Sequence, residues 1–137
     1  MGLLDIFGKK NVSADLGQRF PYEMKTEFVP YRLRSREKNS LGLVVTLKNL
    51  TGEPVLSSVV VSLPKQLSFD TMGLAKEKEA KLGTLGANET KESRIDIYGN
   101  TGTDKGEYTI TVTAFVNYRD YGHILNSMKK RALLEVV

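Results

Sequence analysis

The sequence predicts an all-β fold: an antiparallel sandwich of two sheets with about seven short strands, preceded by a flexible N-terminal extension. Apolar and polar residues alternate with a period of two along most of the chain, which is typical of half-buried strands. Turn-forming residues interrupt this alternation about every 8–15 residues, and no long stretch has a helical period. The chain has 137 residues, 40% apolar and 26% charged, which is the size and composition of one domain with one core.

The first predicted element is a separate N-terminal segment. Residues 1–21 have no sustained period and are predicted to be an amphipathic segment with a polar tether, whereas residues 22–137 are predicted to be the sandwich domain. The first strand begins after Tyr22 and runs to about Arg34, with Pro30 in its middle. Because proline has no backbone N–H, this strand is expected at a sheet edge or switching between sheets.

The clearest alternation lies in five later segments: residues 41–47, 55–63, 93–98, 108–116 and 129–137. The apolar phase of these segments predicts a buried core that includes Leu43, Val45, Leu47, Val59, Val61, Ile95, Ile97, Ile110 and Val112. Residues 75–81 are rich in charge and are predicted to form one charged helical turn or an exposed loop. A short strand is expected at residues 82–85.

Composition excludes several classes of function. The chain has no Cys and a single His. It has 20 Lys+Arg and 16 Asp+Glu, which give a net charge of +4. Without Cys there is no disulfide framework, no thiol nucleophile and no Cys-ligated metal. The phosphate-binding, dinucleotide-binding and hydrolase motifs do not occur in the sequence. We therefore expect a non-enzymatic protein with no cofactor and no metal site.

Three motifs resemble immunoglobulin-like modules. DKGEYTI (residues 104–110) resembles the D-x-G-x-Y-x-C signature of immunoglobulin-like domains, with Ile110 in place of the cysteine. VVTLKNLTGEPV (residues 44–55) and LGTLGANET (residues 82–90) are similar to segments of CARDB-like and alpha-galactosidase-associated (NEW3-like) modules. The resemblance implies an immunoglobulin-like sandwich in which the hydroxyl of Tyr108 bonds to the backbone a few residues upstream. It also implies a spacer or binding role.

The loop before the last strand is a candidate protein-binding site. It contains Tyr118, Arg119, Tyr121 and His123, and aromatic and planar side chains of this kind are enriched in binding hot spots. The alternative is that the two tyrosines cover the open end of the core.

A second candidate site is a run of alternating basic residues, Arg32, Arg34, Arg36 and Lys38. On a strand these side chains would form one row with a spacing of about 7 Å, comparable with the spacing of phosphates. The alternative is that charged residues at an edge strand prevent aggregation. Nucleic acid is a disfavoured partner, because the basic excess is small and stacking aromatics are absent from the run.

The N-terminal segment is the third candidate, as a membrane-surface anchor or a docking segment. Four apolar residues precede two lysines; the set is Leu3, Leu4, Ile6, Phe7, Lys9 and Lys10. Apolar side chains beside lysines favour weak binding to an anionic lipid surface. A disordered tail is the alternative. The charges follow the apolar residues, which is not the order of a secretory signal.

These features together predict a non-enzymatic protein–protein interaction module with an unknown protein partner. We expect a cytoplasmic location, with the inner membrane surface as a candidate site of weak association. Binding of an anionic polymer through the basic run is the alternative function.

Overall fold

A computed structural model describes residues 22–117, Tyr121 and residues 124–137. These residues form strands and no helix, which confirms the predicted all-β class. The strands are β1 (Tyr22–Val29), β2 (Arg32–Leu33), β3 (Asn39–Asn49), β4 (Val55–Ser62), β5 (Glu77–Leu85), β6 (Thr90–Gly99), β7 (Gly106–Asn117) and β8 (Ile124–Val136).

The strands form two sheets, which pack against each other as a sandwich. Sheet 1 has three strands in the order β1-β3-β6, and sheet 2 has five in the order β2-β8-β7-β4-β5. Every strand pair is antiparallel except β2–β8, which is parallel. The predicted antiparallel two-sheet sandwich is therefore confirmed.

The chain changes sheet at Pro30. β1 pairs with β3 along its whole length, whereas β2 pairs with the end of β8. Pro30 cannot donate to a ladder, so regular pairing of the first strand ends before it. Both predicted roles of this proline are confirmed, because β1 is an edge of sheet 1 and the next strand belongs to sheet 2.

The core lies between the sheets and consists of the side chains that face inward from each strand. All nine residues predicted from the alternation are at most 2% exposed. Tyr108, on β7, packs against this core, and its hydroxyl donates a hydrogen bond of 2.7 Å to the carbonyl oxygen of Asp104. The predicted tyrosine corner is therefore present.

The prediction for residues 75–81 is wrong. Glu77–Leu85 is one strand at the edge of sheet 2, paired with β4 from end to end. Ala80 and Leu82 pack against the core, so the alternation continues through the charged stretch. The charges lie at an edge, where they protect the unpaired side of the strand from aggregation. The last strand also begins earlier than predicted, at Ile124.

Residues 1–21 lie outside the described residues, and so does the predicted anchor formed by Leu3, Leu4, Ile6, Phe7, Lys9 and Lys10. Within the part of the chain that the structure describes, no helix is long and apolar enough to cross a bilayer.

Candidate functional site

The outer faces of the two sheets differ in how their charges are distributed. On sheet 1, charged side chains occur on all three strands. Arg94, on β6, lies 3.7 Å from the carboxylate of Asp96 and covers Gly42 of the central strand. Lys25 and Lys48 project from β1 and β3 on the same face. Charged side chains of opposite sign that are interleaved in this way interact with their neighbours and with water.

On sheet 2, the charges stand apart from an uncharged centre. The middle strands β4 and β7 present small or apolar side chains that are partly buried although they face outward: Val60, Ser62, Thr111, Thr113 and Phe115. We call these five residues the uncharged centre. On one side lie the exposed carboxylates Glu77 and Glu79 of β5, the acidic rim. On the other lie the exposed Lys129 and Arg131 of β8, the basic rim.

The strand register places these groups in two rows across the sheet. One row runs Glu77, Ser62, Thr111, Arg131, and the next runs Glu79, Val60, Thr113, Lys129. Within the first row, the Ser62 hydroxyl lies 3.3 Å from a carboxylate oxygen of Glu77. Each row therefore has an acid at one end, a base at the other, and neutral side chains between them. Neighbouring strands are about 4.8 Å apart, so about 14 Å separate the two rims.

A cleft of about 320 Å³ opens on this face between β4, β5 and β7. Its lining includes Ser58, Val60, Phe115 and Tyr121, together with residues of the acidic rim. Two aromatic rings therefore line a small depression beside the acidic rim. Aromatic side chains beside a partly desolvated depression are typical of protein-binding surfaces.

Tyr121 is held in this cleft by the edge strand. Its hydroxyl accepts a hydrogen bond of 2.9 Å from the backbone N–H of Gly83, and the Nζ of Lys81 lies 5.1 Å from its ring centroid. Ser57 pairs with Gly83 and Ser58 with Lys81, so β5 has one extra residue here. Gly83 has a φ of +75°, which suits glycine. The bulge thus provides the N–H that fixes Tyr121.

The predicted loop site is only partly within the described residues. Tyr118, Arg119 and His123 lie outside them, so the prediction for these side chains stays a prediction. Tyr121 contacts β5 and lines the cleft on the outer face. The binding role of Tyr121 stays a prediction.

The predicted basic row on a strand is wrong in its geometry. β2 contains only Arg32 and Leu33, and the chain then turns. Arg36 has a φ of +56°, which a non-glycine residue of a regular strand does not adopt. The side chain of Asn39 closes the turn, because its Nδ2 donates to the carbonyl oxygens of Arg34 and Glu37. The four basic side chains therefore do not share one face at strand spacing.

The arginines of this run are also paired with carboxylates. Arg32 lies 3.0 Å from Glu135, Arg34 3.7 Å from Glu37, and Arg36 2.9 Å from Asp104. These pairs are exposed and contribute little to stability. They nevertheless offset the positive charge that a polyanion would need.

The fourth residue of the run, Lys38, lies apart from these pairs. It lines a second cleft, of about 340 Å³, together with Thr71, Tyr98 and Asn100. This cleft lies at the end of the sandwich where β1 ends, and Lys38 is the charged residue among the described residues that line it.

Metal chemistry finds no support in the described part of the chain. No group of three or more His, Cys, Asp or Glu side chains there could hold an ion.

Sequence reasoning missed both rims. Glu77 and Glu79 belong to the segment predicted as a helical turn or loop, and Lys129 and Arg131 belong to the predicted last strand, with no site predicted for them. The alternation of Glu77, Glu79 and Lys81 with Lys78, Ala80 and Leu82 has a period of two. This period was the available signal for the acidic rim.

The described residues form an immunoglobulin-like β-sandwich, defined by two largely antiparallel sheets and the tyrosine corner. No family model matches the sequence, and no curated protein matches it. The chain is similar to a CARDB domain from Pyrococcus furiosus, solved in complex with di-metal ions. The identity is 20% and the TM-score 0.49, and the match covers 87% of this chain and 97% of that one.

Two further solved structures are similar to the chain. One is the alkylpurine DNA glycosylase AlkC of Pseudomonas fluorescens, bound to DNA containing an abasic site analogue (17% identity, TM-score 0.46). The match covers 85% of this chain but 30% of the glycosylase. The other is the ASH/PapD-like domain 7 of human CEP192 (12% identity, TM-score 0.37), with 93% of this chain and 94% of that domain covered.

Proposed function

We propose that this chain is a non-enzymatic protein-binding module and that it binds its partner on the outer face of sheet 2. The observation that carries the proposal is the uncharged centre between two oppositely charged rims. Val60, Thr113 and Phe115 are partly buried there although they face away from the core. A flat neutral patch with a charged border has the arrangement of a protein interface, in which the centre is depleted of charge and the margin is polar.

The cleft adds an anchoring point to this face. Phe115 and Tyr121 line it, and Tyr121 is already fixed by Gly83 and Lys81. A side chain that is ordered before binding loses little conformational entropy in the complex. The composition supports the non-enzymatic part of the proposal, because a chain with no Cys and one His has few groups for nucleophilic or general-base catalysis.

The test is a charged substitution in the middle of the uncharged centre. Thr113→Arg places a long cation on the central part of sheet 2 and leaves the inward side chains of β7 unchanged. Thr46→Arg is the matched control, since Thr46 is a partly buried, outward-facing residue on the central strand of sheet 1. The tagged full-length chain serves as bait in a lysate of its source cells, and circular dichroism checks the fold of each variant.

We expect the wild type and Thr46→Arg to recover the same proteins and Thr113→Arg to lose them. Recovery of the same proteins by a folded Thr113→Arg variant would overturn the proposed face. Equal loss with both variants would also overturn it, because the effect would not be specific to sheet 2.

We further propose that residues 1–10 attach the module weakly to an anionic membrane surface, such as the inner face of a cell membrane. The support is the sequence alone: Leu3, Leu4, Ile6 and Phe7 beside Lys9 and Lys10. Full-length protein should float with anionic vesicles at low salt and less at high salt, and Phe7→Asp should abolish flotation. Flotation that is unchanged by Phe7→Asp would refute the anchor.

A further inference from the structure

We propose that the outer face of sheet 2 binds a second copy of this chain, related to the first by a two-fold axis parallel to the strands. The proposal rests on the proposed function, since it names a partner for the same face. The basis is the pairing of each acid with a base in the same row: Glu77 with Arg131, and Glu79 with Lys129.

The two-fold axis brings opposite charges together. Rotation by 180° about the strand direction exchanges the two sides of the sheet but keeps each position along the strands. The acidic rim of one copy then faces the basic rim of the other, with Glu77 opposite Arg131 and Glu79 opposite Lys129. Because the operation is symmetric, each contact occurs twice, which gives a self-complementary interface of the kind found in two-fold dimers.

The rims also disfavour the other face-to-face arrangement, although Lys81 follows Glu79 on the same face of β5. An axis perpendicular to the strands would place the acidic rim over the acidic rim and the basic rim over the basic rim. Like charges brought together in an interface cost several kcal/mol. Aligned strands are one of the two common ways in which sheets pack face to face. Both axes keep the strands of the two copies aligned, so packing does not separate them and the charges of the rims decide the axis.

An exposed leucine lies on the same face. Leu133, on β8, is 62% exposed and belongs to the outward phase of Lys129 and Arg131. The proposed arrangement would cover it. Covering exposed apolar side chains favours association.

The size of the face sets the expected strength. Four strands over about eight residues each present an area of roughly 500 Å² per copy, or roughly 1,000 Å² in total. This lies at the low end of specific interfaces, where complexes are weak and transient. We therefore expect a dimer that forms at tens to hundreds of micromolar protein and weakens as salt screens the rims.

The experiment exchanges the charges of one rim at a time. One variant carries Glu77→Lys and Glu79→Lys, and the other carries Lys129→Glu and Arg131→Glu. Each alone faces like charges on both sides of the interface and should dimerise at least about tenfold more weakly than the wild type. An equimolar mixture restores opposite charges at both rims, so it should form a heterodimer with near wild-type affinity. Sedimentation velocity measures the association of each variant alone and, with one variant labelled, of the mixture.

The matched control is the pair Glu23→Lys and Glu27→Lys. These exposed residues lie on β1, at the edge of sheet 1, and their exchange gives the same change in net charge as the exchange of Glu77 and Glu79. The control should dimerise like the wild type. Circular dichroism verifies that each variant is folded, which we expect because all the substituted residues are exposed.

A wild-type chain that stays monomeric up to about 1 mM at low salt would overturn the inference. A mixture of the two rim variants that fails to form heterodimers would do the same. If either result came with loss of partner recovery in Thr113→Arg, the proposed function would stand and the face would bind a different protein. Only the identity of the partner would then be wrong.

Discussion

Asn49 offers a sharp test of what holds the sandwich together at the end where β3 finishes. Its Nδ2 donates to the carbonyl oxygens of Glu53, Leu85 and Gly86 at 2.8, 3.0 and 3.1 Å. Its Oδ1 accepts from the backbone N–H and the hydroxyl of Thr51 at 2.9 and 2.7 Å. One side chain therefore connects the turn after β3 to the end of β5, in the other sheet.

The structure sets the expected cost of Asn49→Ala. Asn49 is fully buried, so water cannot replace its amide at every partner. A neutral hydrogen bond contributes about 1 kcal/mol net, and a buried group left unpaired costs about 1–3 kcal/mol. The carbonyl of Leu85 is the buried partner, whereas the groups of Thr51 can bind water. We expect Asn49→Ala to lower the free energy of unfolding by about 3–4 kcal/mol.

Two further variants separate hydrogen bonding from packing. Asn49→Asp has nearly the same shape but aims a carboxylate oxygen at the carbonyl oxygens of Glu53, Leu85 and Gly86, so it should destabilise at least as much as Asn49→Ala. Asn39→Ala also removes an asparagine that joins backbone segments, but its bonds are exposed to water. Its expected cost is about 1 kcal/mol.

Urea denaturation followed by circular dichroism measures all three variants. The reasoning would be refuted if Asn49→Ala cost less than about 1 kcal/mol, or no more than Asn39→Ala.

Three other substitutions test the core, the tyrosine corner and a buried hydroxyl. Ile110→Ala should cost about 2–5 kcal/mol in urea denaturation, because it leaves a cavity among fully buried side chains; a loss under about 0.5 kcal/mol would contradict the packing. Tyr108→Phe should cost about 1 kcal/mol through its bond to the Asp104 carbonyl, and unchanged stability would show that this bond contributes nothing. The hydroxyl of Tyr22 is buried with no partner among the described residues, so Tyr22→Phe should be neutral or stabilising at pH 7, and a clear loss would disprove this. Burial raises the pKa of Tyr22, so the unfolded chain ionises first as the pH rises above about 10, and the wild type should lose more stability there than Tyr22→Phe.

The alternation of apolar and polar residues predicted most of the fold, because it arises from the burial of one face of each strand. In β7, Ile110 and Val112 face inward, and the sequence shows this without knowledge of any partner strand. The same rule failed at β5, where the outward charges Glu77 and Glu79 hid the inward Ala80 and Leu82. A strand at an edge buries less apolar surface, so its pattern is weaker.

The basic run failed for a different reason. Its residues alternate as a strand would, but side-chain to backbone hydrogen bonds from Asn39 stabilise a turn instead. Asparagine competes with regular pairing in this way, and the outcome depends on the geometry of the whole segment. The sequence could show the charges of Arg34, Arg36 and Lys38 but not that they leave the strand.

The rows across sheet 2 depend on register, which alternation does not determine. Alternation assigns Glu77 and Arg131 to an outer face, but they are far apart in the sequence. Three strand pairings in succession bring them into one row. A shift of two residues in any of these pairings would keep every side chain on the same face and still separate the acid from its base.

The core and the proposed binding face are thus two consequences of one alternation. On β7, Ile110 and Val112 fill the core, and Thr111 and Thr113 alternate with them on the outer face. A register shift by one residue would bury the threonines and expose the apolar residues, so the stability of the core also fixes which side chains reach a partner. Outward substitutions on this strand should therefore change binding while inward ones change stability. This separation is what allows Thr113→Arg and Ile110→Ala to report on two different properties of the same strand.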